Sequence, residues 1–163
     1  MHEPTAPLHG SWLQSLFGFA DQLGSWLPAL VLRLLLAWEF WEAGVEKLHG
    51  SNWFADIQDN FPFPFSVLPV ELSWQMATWS EVLGALLLVV GLATRFAGIS
   101  LIVLTIVAWI AVHAGNGYNV CDNGWKLPLI YLVMFVPLVL QGPGRLSLDH
   151  LIARRLGRRS LAD

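Results

Sequence analysis

Apolar residues crowd this chain into four long runs, at about 26–49, 73–92, 96–114 and 125–141, separated by stretches rich in proline, glycine or charge. Each run is close to the roughly 17–25 residues an α-helix needs to cross the apolar core of a bilayer. Ahead of the first run, Trp12, Leu13, Leu16, Phe19, Ala20 and Leu23 recur at helical spacing, with Gln14, Ser15 and Asp21 between them. From His9 to Ser25 this predicts a short amphipathic helix lying in a membrane interface, or an early extension of the first span. After the last run, Gly142-Pro143-Gly144 ends the helix. Ser147 is then placed to cap a final one, with Leu148, Leu151, Ile152 and Leu156 set against Arg154, Arg155, Arg158 and Arg159. The expected fold is all-α: a polytopic membrane protein, a four-transmembrane-helix bundle with amphipathic N- and C-terminal helices. Its segments are an N-terminal interfacial stretch (1–25), the membrane domain (26–144) and a basic tail (145–163).

The connections differ in kind. Residues 51–72 contain Phe61-Pro62-Phe63-Pro64-Phe65 and Pro69, with no Lys or Arg. Proline at that density forbids a regular helix, so an aromatic loop folded back onto the membrane surface is expected. Thr94-Arg95 makes a short turn, and residues 115–124 form a loop dense in turn formers. Gly84, Ala85 and Gly91 let a neighbouring backbone approach the second span closely. Pro137 predicts a kink in the fourth.

Composition supports the membrane reading. Of 163 residues, 55% are hydrophobic and only 13% are charged, against about 25% charged in soluble domains. No room is left for a separate soluble domain. A single cysteine, Cys121, excludes an internal disulfide and a thiolate cluster within one chain. No Lys or Arg precedes Arg33, so the basic region of a signal peptide is not expected. With four spans both termini share a side. That side collects Arg33, Arg95, Arg145, Arg154, Arg155, Arg158 and Arg159, whereas the other has Lys47 and Lys126. Positive residues stay inside, so the termini are expected in the cytoplasm and the two long loops outside. The basic tail suits anionic lipid headgroups rather than nucleic acid.

The chemistry gathers on the first span. On a helical wheel Glu39, Glu42, Glu46 and His49 fall within an arc of roughly 80°, and Arg33, Phe40, Gly44 and Lys47 fall within a separate arc of roughly 60°. Glu81 enters the second span from the outer side and His113 ends the third there. Glu39, Glu42, Glu46, His49, Glu81 and His113 are therefore expected together in the outer half. Ionisable residues at membrane depth usually face a bundle interior or a water-filled cavity, so a polar pocket is expected. The alternative is a buried, hydrogen-bonded core network of the three glutamates. Arg33 is expected to snorkel inward and Lys47 outward. Glu81 needs a backbone or cationic donor; its depth argues against Arg33. Glu46, His49 and His113 are candidate metal ligands, since imidazole with carboxylate suits zinc, copper or iron. Cys121 reads as a loop cysteine, with redox or copper contact as the alternative. Trp38, Trp41, Trp79 and Trp109 read as packing, and Trp26, Trp53, Trp74 and Trp125 as interfacial belts. The sequence has no nucleotide-binding glycine loop, nucleophile triad or haem-attachment motif.

Three stretches carry a resemblance. Arg33, Phe40, Gly44 and Lys47-Leu48 in the first span resemble the pattern of the DoxX family of small four-helix bacterial membrane proteins. So do Glu81, Gly84, Gly91-Leu92 and Thr94-Arg95 in the second. The tail Gly142-Pro143-Gly144-Arg145, continuing through Ser147-Leu148-Asp149, is the most specific match. The likeness spans roughly residues 28–150. It departs from the common pattern at Ala37, where a glycine is frequent, and in the added Glu39, Glu42 and Glu46 face. The resemblance implies a four-helix bundle in a bacterial inner membrane. It also implies association with thiosulfate:quinone oxidoreduction, with membrane redox complexes, or with gene clusters making copper-binding modified peptides. The expected function is thus an accessory membrane subunit of a redox or metal-handling system. A quinone or a metal ion is the candidate cofactor, and a protein partner or a second copy the candidate associate. The alternatives are a quinone-linked oxidoreductase subunit and a small transporter.

Overall fold

A computed structural model describes residues 11–155 and 157. The predicted start at His9, and Leu156, Arg158 and Arg159 of the tail, lie outside the described residues. Six α-helices follow in order: α1 (Ser11–Gly24), α2 (Leu27–His49), α3 (Val70–Val90), α4 (Thr94–Ala108), α5 (Lys126–Leu140) and α6 (Leu148–Arg155). No strand occurs among the described residues. Three helical stretches, Trp12–His49, Val70–Val90 and Thr94–Asn116, are long and apolar enough to cross a membrane. The fourth apolar helix, α5, is shorter. Its fifteen residues rise about 22 Å, less than the roughly 30 Å of a hydrocarbon core.

Helices α2 to α5 run up and down in turn. α2 packs on α3 and α5, and α4 packs on α3 and α5, which closes a ring of four. Its centre holds Leu36, Ala37, Phe40, Ala85, Leu88, Leu101, Phe135 and Leu138. Gly44 and Gly84 set the spacing. A Cβ on Gly44 would lie 2.8 Å from a Val82 methyl, and one on Gly84 would lie 3.0 Å from Leu101. At the end opposite α6, a second cluster of Phe54, Phe61, Trp74 and Ala111 roofs the bundle. The expected aromatic loop is therefore a lid of short 3₁₀ turns. Phe54 meets Trp74 and Phe61 edge-on, with centroids 5.0 and 5.1 Å apart.

Arg33 departs from expectation. It does not snorkel towards solvent, being only 1% exposed. In a helix each Cα–Cβ bond tilts towards the N-terminus. Arg33 therefore points at the end of the bundle where α3 stops, and a ready set of carbonyls meets it before water does. Nε donates to Leu88 O (2.8 Å) and Nη2 to Val89 O (3.0 Å). Nη1 donates to Pro143 O and Leu146 O, both at 2.8 Å. Cations are favoured at helix C-termini, where carbonyls lack partners.

The same junction uses the tail. Gly91 closes α3 in the left-handed region, at φ 67°. Leu92 N donates to Leu87 O, and Gly91 N to Leu88 O, as in a Schellman cap. Asp149 then caps α4 from a distance: its carboxylate accepts from Ala93 N (2.8 Å) and Thr94 N (3.0 Å), and its own N–H donates to Gly91 O. Ser147 caps α6, as its position suggested, accepting from His150 N at 3.2 Å. Arg95 donates to Leu140 O at the end of α5.

Gly91→Ala should be costly for two reasons. The residue has positive φ, and its Cβ would stand 2.8 Å from the Arg33 guanidinium and 2.6 Å from Ser147 Cβ. Unfolding in detergent should lose roughly 2 kcal/mol or more. Gly18→Ala, with nothing within 4 Å of its Cβ, should be neutral or slightly stabilising. Equal effects from the two substitutions would contradict this account of the junction.

Candidate functional site

At the end of the bundle away from α6, α2, α3, α4 and α5 part beneath the aromatic lid. The space between them is a cavity of about 780 Å³, within the roughly 300–1,000 Å³ of small-molecule sites. Five of the six sequence-chosen residues line it: Glu39, Glu42, Glu46, Glu81 and His113. His49 does not; its Nδ1 lies 2.9 Å from Val45 O on its own helix.

The acidic face itself is not buried. Glu39 is half-buried, while Glu42 and Glu46 are exposed. α2 buries Arg33, Leu36, Ala37, Phe40 and Gly44, an arc centred roughly 140° from the acidic one. A single helix cannot turn both arcs into the same core, and the family-motif arc takes the inside. Glu39 stands where the two faces meet. Its carboxylate accepts a short hydrogen bond from the Tyr131 hydroxyl on α5. Phe40 packs against Tyr131 and Phe135, with centroids 5.8 and 5.6 Å apart.

Lys47 also departs from expectation. The tilt that aims Arg33 at one end draws Lys47 back into the bundle instead of outward. Its Nζ lies 2.9 Å from both carboxylate oxygens of Glu81. The side chains are 15% and 5% exposed, and this is the one ion pair among the described residues. Gly44 makes the reach possible, because its absent Cβ would stand 3.1 Å from Glu81 Cβ. Lys47 also borders a smaller pocket of about 270 Å³ shared with Glu46 and Trp53.

Two contributors were not anticipated. Tyr131 is the only hydroxyl-bearing residue of α5, which is a signal the sequence offered. Ser73 carried none. It is 5% exposed, lines the cavity, and its Oγ has no hydrogen-bond partner. A buried hydroxyl left unpaired costs about 1–3 kcal/mol, so such groups normally mark a strain reservoir or a place for something else to bind.

The candidate metal set is not assembled. Among the described residues, no three His, Cys, Asp or Glu side chains gather closely enough to hold a metal ion. His113 Nδ1 lies 2.8 Å from Asn123 O; a carbonyl can only accept, so that nitrogen carries the proton. His113 sits in a π-helical turn, Trp109–His113, that continues α4. Cys121 is exposed in the far loop, outside the cavity lining. There Trp109 stacks on Trp125 at 5.4 Å, and Lys126 lies over the Tyr118 ring.

The DoxX family model matches residues 29–114, the stretch that supplies all but the first two residues of α2, the lid, α3 and α4. A Haemophilus influenzae protein described as uncharacterized is 54% identical over 132 residues, covering 81% of this chain and 87% of its own length. A second from the same organism, described in the same words, is 36% identical over 73 residues, 43% of this chain and 54% of its own. No solved structure matches the chain.

The Lys47–Glu81 pair should be coupled. Lys47→Met leaves a buried carboxylate without its cation and should cost about 3 kcal/mol of unfolding free energy. Combining it with Glu81→Met should cost less than the two single changes added together. Strict additivity in detergent unfolding would show that the pair does not form.

Proposed function

Because the chain belongs to the DoxX family, we propose that it is an accessory membrane subunit serving a redox or metal-handling system. It presents the cavity to a small molecule drawn from the bilayer or brought by a partner protein. All four helices α2 to α5 cross a bacterial inner membrane in this reading. The termini lie in the cytoplasm and the aromatic lid faces outward. The observation that carries the reading is the cavity: apolar walls, an internal ion pair, the Glu39–Tyr131 hydrogen bond and an unpaired Ser73 hydroxyl, all beneath one lid. Groups so expensive to bury are retained where something uses them. The accessory role rests on the family and on a sequence without a nucleophile triad or nucleotide loop.

A quinone-linked oxidoreductase subunit is the second reading. Glu39 with Tyr131 favours it, since a carboxylate hydrogen-bonded to a phenol beside an apolar slot suits proton exchange with a quinol oxygen. A small transporter is third and has less behind it, because the sequence shows no internal repeat and no pair of broken spans occurs among the described residues.

Two outcomes test the proposal. Glu39→Gln and Glu81→Gln should each impair growth in a complementation assay by about tenfold or more, while protein levels in the membrane stay normal. Full activity from both would remove support for a working cavity, and disappearance of both proteins would favour a purely structural network. For topology, a periplasm-dependent reporter should be active when inserted in the 51–69 lid and inactive when fused after Asp163. The reverse pattern would overturn the orientation.

A further inference from the structure

Two buried hydroxyls among the described residues have no hydrogen-bond partner, Ser73 Oγ and Thr94 Oγ1. Thr94 starts α4 at the Arg33 end of the bundle, where Asp149 holds its N–H. Ser73 lines the cavity instead and is 5% exposed. Its own helix fixes its depth. Val70 and Ala77, about one turn to either side, both pack against the cluster of Phe54, Phe61, Trp74 and Ala111. Gly84 faces Leu101, which sets the register of α3 on α4. Eleven residues outward along each helix brings Ser73 level with Val112, which lines the same space. Ser73 therefore sits directly under the aromatic lid.

The walls at that level are Phe54, Phe61, Phe65, Ala77, Val107 and Val112, whose side chains offer a hydroxyl no acceptor. Carboxylates are remote. Glu81, the next ionisable residue of α3 in the lining, is eight residues inward, about 12 Å away, and already holds Lys47. Gly44 against Val82 sets Glu46 opposite Ser80, about 10 Å inward of Ser73. His113 reaches this end of α4, with the proton on its Nδ1 given to Asn123 O. A charged group placed beside one hydroxyl and six apolar side chains would be left unpaired, at a cost far above what one hydrogen bond offsets. What the hydroxyl lacks is an acceptor for its proton, and an uncharged carbonyl oxygen supplies one. Ile99 and Val103, in the same lining, lie on the exposed side of α4, so the cavity opens sideways towards acyl chains.

From this placement we infer that the lid end of the cavity receives the carbonyl end of an uncharged, lipid-soluble molecule, with Ser73 Oγ–H donating to the carbonyl oxygen. The inference rests on the reading of the cavity as a ligand site and adds the chemistry of the ligand's buried end.

The test titrates the full chain in a neutral detergent with methyl nonyl ketone, undecane and undecyltrimethylammonium, followed by native mass spectrometry. The ketone should bind at one equivalent, about fivefold or more tighter than the alkane, and the cation should not displace it. With an isotope-labelled carbonyl, its infrared C=O band should move to lower frequency on binding, the mark of a hydrogen bond. Ser73→Ala should abolish that shift and bring the ketone's affinity down to the alkane's. The same change should raise the unfolding midpoint of the ligand-free protein, because an unpaired buried hydroxyl is removed. A ketone bound no tighter than the alkane, or displaced by the cation, would overturn the inference and leave the ligand-site reading standing. So would a preference for the ketone that survives Ser73→Ala, or a lower midpoint in that variant, which would give the hydroxyl a partner within the protein. No binding by any of the three would overturn both.

Discussion

A guanidinium removed from water must find an oxygen for nearly every N–H it carries, or the charge cannot stay buried. Arg33 meets that demand with four carbonyls from two separate parts of the chain: Leu88 and Val89 at the end of α3, and Pro143 and Leu146 in the tail. The rest of that end follows. The carbonyls of α3 are free to accept because the helix stops there, and it stops in a left-handed residue that must lack a Cβ to admit the guanidinium. The tail is held against the bundle because two of its carbonyls are bound, which in turn places Asp149 over the first N–H groups of α4. One side chain thus joins α2, α3, α4 and the segment after α5.

The second cation of the same helix arc plays a different part. Lys47 lies fourteen residues beyond Arg33, about 21 Å along α2. It is drawn inward by the same tilt of side chains, but it meets a carboxylate, not a closed ring of carbonyls. Around Arg33 every charge is enclosed by backbone. Around Lys47 the helices separate, leaving Glu39 on Tyr131, Ser73 with no partner, and two further glutamates at the rim. The bundle is therefore locked at one end and hollow at the other. A protein built so spends its most rigid contacts on holding a cavity open.

Much of the architecture was legible because the bilayer reduces it to a few rules. Long apolar runs marked α2, α3 and α4, proline and glycine marked their ends, and Ser147 announced the cap of α6. The shared arc of Arg33, Phe40, Gly44 and Lys47 was visible on the wheel. That it is the buried arc was not, because three glutamates on the opposite side suggested a polar interior. Periodicity gives the angle between two faces and not which one finds a neighbour. Snorkelling failed as a guide to both cations for a related reason: it assumes that water is the nearest source of partners, whereas a helix end and a carboxylate were nearer. The Lys47–Glu81 pair joins residues 34 apart in sequence, and no local pattern encodes such a meeting. Tyr131 could have been read from its isolation in an apolar helix. Ser73 could not, since its distinction is the absence of a partner.

The claim that the cavity is a place for a ligand is tested most directly by a cryo-EM map of the protein taken from its own membrane into lipid nanodiscs. The account predicts elongated non-protein density beneath the aromatic lid, reaching Ser73 Oγ and the Glu39 carboxylate, with Lys47 still on Glu81. A collapsed cavity, with Ser73 Oγ bonded to a protein oxygen and side chains filling the space, would contradict it.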